Sequence, residues 1–147
     1  MSDTPTSDSH ALLADIGGTN ARLALARHDS AEPLLVGSVR EVADFPSLSD
    51  AAAHYLDTTG AVARTGVFAV AGRVDGDEAR ITNHPWVISV ARTSEALGLE
   101  SLRLVNDFAA QAMGASLLRP QDVVPIGGIG WRGHDREGRT SAVIGAG

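Results

Sequence analysis

Three short segments of the chain carry residue types that could do chemistry. In Asp15-Ile16-Gly17-Gly18-Thr19-Asn20, a carboxylate ends an apolar run and two adjacent glycines follow it, with Arg22 just beyond. Adjacent glycines let the backbone turn tightly and aim successive N–H groups at one point, a nest that binds phosphate, and Thr19 adds a hydroxyl donor. Asp15 is placed to hold Mg²⁺ directly or through water. The plainer alternative is a glycine hairpin with a solvated aspartate. Asn106-Asp107 stands at the end of a second apolar run, where a strand gives way to a helix. Ligands of α/β sheets collect at that end of the strands. An aspartate there can take the proton from an attacking hydroxyl while the neighbouring asparagine orients it by hydrogen bonds. Asp107 could equally be only the helix N-cap, the commonest task for aspartate in such a place. The third segment, Thr82-Asn83-His84-Pro85-Trp86, offers polar contacts from Asn and His. Its tryptophan offers an aromatic face of the kind sugars pack against, or else a turn built round a partly buried ring.

Composition removes several other chemistries. The 12 basic residues are all arginine, so no Walker A lysine, protein-kinase lysine or Schiff-base lysine exists. Any handling of nucleotide phosphate must therefore use backbone amides, arginine and metal. The absence of cysteine removes disulfides, thiolate zinc sites and thiol nucleophiles together. A formal charge of −6 argues against nucleic acid as a partner. No apolar stretch approaches the roughly 20 residues that span a bilayer, and the polar start carries no secretory signal, so a cytoplasmic location is expected. Gly128-Ile129-Gly130-Trp131-Arg132-Gly133 satisfies the dinucleotide pattern literally, but it runs into polar His134 to Gly138 rather than opening a helix, and reads as a loop.

The elements that must position these residues follow from the apolar pattern. Residues 11–15 and 21–26 read as strands joined by the glycine turn, with a third strand inside 34–42. Ser47 is placed to cap a helix, with Asp50 in its first turn, and Leu48, Ala51, Ala52, Tyr55 and Leu56 recur at the spacing of one buried face. A buried strand is expected over 65–71, then a hairpin turning at 74–77 and returning through 80–82. A helix over 90–97 stops at Gly98, a strand covers 102–105, and a helix over 108–118 is closed by Pro120. Two last strands, 123–126 and 141–144, complete the expectation. Antiparallel strands followed by β–α alternation predict an α/β fold with a mixed sheet.

Taken in order, these segments resemble the bacterial glucokinase family. Asp15 to Arg22 is similar to its first phosphate motif, Thr82 to Trp86 to its sugar-side loop, and Leu104-Val105-Asn106-Asp107-Phe108 to its catalytic segment. Ile144-Gly145-Ala146-Gly147 looks like the opening of its second phosphate motif. The resemblance covers about Ala11 to Gly147. It implies a ribonuclease-H-like, actin-like ATPase domain over 11–118 after a tail at 1–10, and at 119–147 the truncated start of a second α/β domain. It also implies Asp107 as general base, Asn106 and Asn83 on the sugar, and Gly17, Gly18, Thr19 and Asn20 on the ATP phosphates. Asp15 would serve Mg²⁺, glucose and ATP would be the substrates, and a homodimer would be usual. Zinc-binding relatives with a cysteine-rich motif are excluded by composition. A catalytically inactive remnant that binds sugar or phosphate remains the alternative.

Overall fold

The structure is a computed structural model that describes residues 10–27, 35–82, 84–127 and 142–144. In chain order its strands are β1 (His10–Ile16), β2 (Asn20–Arg27), β3 (Leu35–Glu41), β4 (Ala63–Val70), β5 (Gly72–Asp75), β6 (Glu78–Ile81), β7 (Val87–Ser89) and β8 (Ser101–Asn106). Its helices are α1 (Leu48–Thr59), α2 (Val90–Leu97) and α3 (Asp107–Ala115), with 3-10 turns at Val42–Asp44 and Pro120–Asp122. The chain divides into two compact units, Met1–Asp107 and Phe108–Gly147.

The first unit is built on a five-stranded sheet in the order β3-β2-β1-β4-β8. β1 pairs antiparallel with β2 and β2 with β3, whereas β1–β4 and β4–β8 are parallel, so the sheet is mixed as the pattern predicts. A second sheet, β5-β6-β7, is antiparallel throughout. Alternation decides which side of the main sheet is buried. Leu12, Ala14 and Ile16 of β1, Phe68 and Val70 of β4, and Leu104 of β8 share one face and enter a single core. That core also takes Leu48, Ala51, Ala52 and Tyr55 from α1 and Ala79, Ile81, Trp86 and Ile88 from the second sheet and the loop within it. Burial pushes the Tyr55 phenol above its ordinary pKa.

α1 forms where its signals put it. The Ser47 Oγ accepts from the Asp50 backbone N–H at 3.2 Å and donates to the Asp50 carboxylate at 2.6 Å, while Gly60 ends the helix in the left-handed region at φ 65°. Replacing Ser47 with alanine should cost about 1 kcal/mol, since one orphan amide loses its partner. Urea denaturation measures this directly, and an unchanged midpoint would show that the cap contributes nothing. α2 closes at Gly98 (φ 65°) as expected.

The structure departs from the expected elements in three places. β7 is a strand where the sequence pattern names no element; three residues bounded by a Pro-containing turn leave too short an alternation to read. α3 stops at Ala115 rather than Leu118, because Gly114 is a poor helix former and Ser116 and Leu117 bond back to Met113 and Gly114 as turns. Residues 123–126 form no strand, and Val124 and Ile126 are exposed. Of the expected partner strand, 142–144 is irregular and Ser141 lies outside the described residues. An apolar run without a ladder partner cannot satisfy its backbone as a strand. The same unit is tied at its 3-10 turn, where Arg119 donates to the Asp122 carboxylate through its backbone N–H (2.9 Å) and Nε (3.2 Å). Those bonds hold the Asp122 carboxyl below its usual range.

Candidate active site

The parallel register aligns the ends of three strands. Ile16 pairs with Val70 and Val70 with Asn106, so β1, β4 and β8 finish at one level. β1 and β8 are two strand spacings, about 10 Å, apart there. Asp15 and the glycine turn leave from β1, and Asn106-Asp107 leaves from β8, at the same end of the sheet. Asp15 shares a face with Ala69 and Val105, whereas Asn106 lies on the opposite face with Ile16 and Val70.

Asp15 stands directly opposite Arg22 across the β1–β2 ladder, and its Oδ2 accepts from Arg22 Nη1 at 2.9 Å. Both side chains are more than half exposed, so this ion pair contributes at most about 1 kcal/mol. Its consequence is orientation of the carboxylate. The turn itself differs from the expected glycine nest in how it uses its glycines. The Gly17 N–H donates to the Asn20 carbonyl at 2.9 Å, so it closes the turn rather than facing outward. Neither Gly17 nor Gly18 adopts positive φ. A β-carbon at Gly18 would stand 3.2 Å from the Thr82 carbonyl oxygen, a tight approach. The glycine turn and the start of the Thr82 loop therefore approach each other closely.

Within that loop Asn83 lies outside the described residues. His84 Nδ1 accepts from the Trp86 backbone N–H at 3.3 Å, and the two rings meet edge to face at 5.1 Å. Trp86 is only 7% exposed and belongs to the core, in keeping with the buried-ring alternative. It borders a cavity of about 390 Å³ with Phe45, Pro46 and His84.

Asn106 and Asp107 are half-buried. The Asn106 side-chain nitrogen donates to Asp107 Oδ1 at 3.0 Å and to the Gly72 carbonyl at 3.1 Å. Asp107 is the first residue of α3, where a carboxylate is favoured by the helix dipole. Such a held carboxylate can accept a proton from a hydroxyl brought to it. Ala71 and Gly72, which link these parts through their backbone, carry no side-chain signal that motif reading could detect. Among the described residues no group of three or more His, Asp or Glu side chains could hold a metal alone. Asp15 offers a single exposed carboxylate, and a lone carboxylate holds Mg²⁺ only together with other oxygen ligands.

The family model named Glucokinase matches residues 12–147. The chain is 63% identical over 139 residues to the glucokinase of Stenotrophomonas maltophilia (strain K279a), covering 92% of this chain and 42% of that protein. Among solved structures, it resembles a glucokinase from an Antarctic psychrotroph with a TM-score of 0.68 and 36% identity, covering 77% of this chain and 37% of the other. A glucokinase from Balamuthia mandrillaris, solved in complex with glucose, is similar at a TM-score of 0.57 and 26% identity, covering 81% of this chain and 36% of the other. The chain thus spans about two fifths of the length of the curated relatives it matches.

Proposed function

This chain belongs to the glucokinase family, and we propose that in a protein of the family's length it supplies the catalytic base and the phosphate-side turn of an ATP-dependent glucose kinase. The observation that carries the reading is the hydrogen-bonded Asn106–Asp107 pair standing at the same sheet end as the Gly17-Gly18 turn. Asp107 takes the proton of the glucose 6-hydroxyl as that oxygen forms its bond to the γ-phosphorus of ATP. The bond from γ-phosphorus to the bridging oxygen breaks, and ADP departs with the electron pair. Asn106 and Asn83 hold sugar hydroxyls, while Gly18, Thr19 and Asn20 face the phosphates and Gly17 closes the turn beneath them. Mg²⁺, when bound with ATP beside Asp15, supplies neutralisation of the charge on the phosphate oxygens. Positioning and charge neutralisation thus do the work, since phosphoryl transfer through a loose transition state needs little covalent help.

The choice of glucose is supported by the sugar bound in the Balamuthia mandrillaris relative. No helix among the described residues is long and apolar enough to cross a membrane; a cytoplasmic location and a homodimer are proposed from the family likeness. The test is a hybrid in which this chain replaces the matching stretch of the Stenotrophomonas maltophilia glucokinase. It is expected to form glucose 6-phosphate from glucose and ATP. A folded hybrid that leaves glucose unphosphorylated would overturn the reading.

A further inference from the structure

Ala71 and Gly72 belong to none of the motif segments, yet each part of the candidate site is fastened to them. The Ala71 N–H donates to the Ile16 carbonyl at 2.8 Å, immediately before the glycine turn. The Ala71 carbonyl accepts from the Thr82 N–H at 3.1 Å, where the sugar-side loop begins. The Gly72 carbonyl accepts from Asn106 Nδ2 at 3.1 Å, and that nitrogen also donates to Asp107 Oδ1 at 3.0 Å. An amide nitrogen has two hydrogens, so Asn106 spends one on the hairpin backbone and one on the carboxylate. With both directions occupied, the amide plane is fixed, and it restrains the carboxylate in turn. The hairpin closes tightly at this point: a β-carbon on Gly72 would stand 2.0 Å from the Arg80 carbonyl oxygen and 3.2 Å from the Ile81 Cα.

From this geometry we infer that Gly72 is a positioning residue, whose carbonyl oxygen fixes the Asn106 amide and, through it, the direction of the Asp107 carboxylate. The β5–β6 hairpin, and no side chain of its own, sets the aim of the base. The inference deepens the proposed function and rests on it for the role of Asp107; the mechanical link from Gly72 to Asp107 stands on the hydrogen bonds alone.

A double-mutant cycle of Gly72→Ala, Asn106→Ala and the pair tests it. The first readout is the Asp107 carboxyl ¹³C resonance in the 147-residue chain, which needs no turnover. Gly72→Ala is expected to move that resonance and the Asn106 side-chain amide signals, while the backbone amides of α1 stay in place. In the Asn106→Ala background the same substitution should leave the carboxyl resonance where it is. In the hybrid enzyme, Gly72→Ala should lower kcat about tenfold with KM for glucose within about twofold, and should add less than about twofold once Asn106 is alanine. Effects that multiply, or a carboxyl resonance unmoved by Gly72→Ala, would overturn the inference. Should Gly72→Ala fail to fold, hydrogen exchange in the parent chain decides: slowed exchange of both Asn106 amide hydrogens supports the link, and exchange at the free rate contradicts it. A hybrid without glucose kinase activity would sink the proposed function while leaving the resonance cycle able to judge the link.

Discussion

Asp107→Ala in the hybrid enzyme is expected to lower kcat by about 10²- to 10⁴-fold, the range that loss of a positioned general base produces. The expectation follows from where the carboxylate sits. It is half-buried, held by the Asn106 amide at 3.0 Å, and stands where β8 passes into α3. If Asp107 served only to start the helix, alanine would cost about 1 kcal/mol of stability and leave the chemistry almost untouched. Steady-state kinetics and a denaturation curve on the same protein therefore separate the two roles. A fall in kcat of less than about tenfold would contradict the base assignment.

The second large effect is on stability. Phe68→Ala should destabilise the first unit by about 3–5 kcal/mol, the usual cost of deleting a fully buried aromatic ring. Phe68 is 0% exposed and lies in β4, the strand between β1 and β8, where it pairs with Ala14 on one side and Leu104 on the other. Alanine at 14 and glycine at 66 leave the ring to fill this part of the core, and a β-carbon added at Gly66 would already lie 3.4 Å from it. Domains of this size are stable by about 5–15 kcal/mol in total, so the loss is a large share. Urea denaturation followed by circular dichroism reads it. A change below about 1 kcal/mol would mean that β4 is not packed as described. The link to function is direct, because β4 sets the spacing between the β1 end that bears the glycine turn and the β8 end that bears Asp107.

The helices were legible where local physics decides structure. In α1, the cap at Ser47 and the burial of Leu48, Ala51, Ala52 and Tyr55 follow from side-chain oxygen chemistry and a 3.6-residue period. In α2, Gly98 takes the left-handed conformation that its position implies. What was not legible depends on partners distant in sequence. Residues 123–126 have the composition of a strand but no ladder partner among the described residues, so their apolar side chains lie exposed. β7 exists because β6 offers it an edge, with Ala79 opposite Ile88, and three residues alone cannot announce that.

The candidate site divides along the same line. Asn106-Asp107 was visible because a carboxylate and an amide at a strand-to-helix junction have side-chain chemistry to read. The ion pair of Asp15 with Arg22 required the β1–β2 register, in which those two residues fall opposite each other. Trp86 was ambiguous, since an indole suits both a sugar face and a core, and only its burial resolves the choice. Gly18 read as a turn glycine, yet it also faces the Thr82 carbonyl closely, and Gly72 is required by its approach to the Arg80 carbonyl. The work of Ala71 and Gly72 is done by peptide groups, which every residue carries alike, so sequence holds no mark of it.

The proposed function turns on Asp107 receiving the proton of the sugar's primary hydroxyl. Its most direct test is a crystal structure of the hybrid enzyme with glucose bound, reading the distance from the Asp107 carboxylate to that oxygen. A contact of about 2.6–3.2 Å is expected, with the Asn106 amide still on Asp107. Glucose seated with its 6-hydroxyl beyond reach of Asp107, and held by another carboxylate, would contradict it.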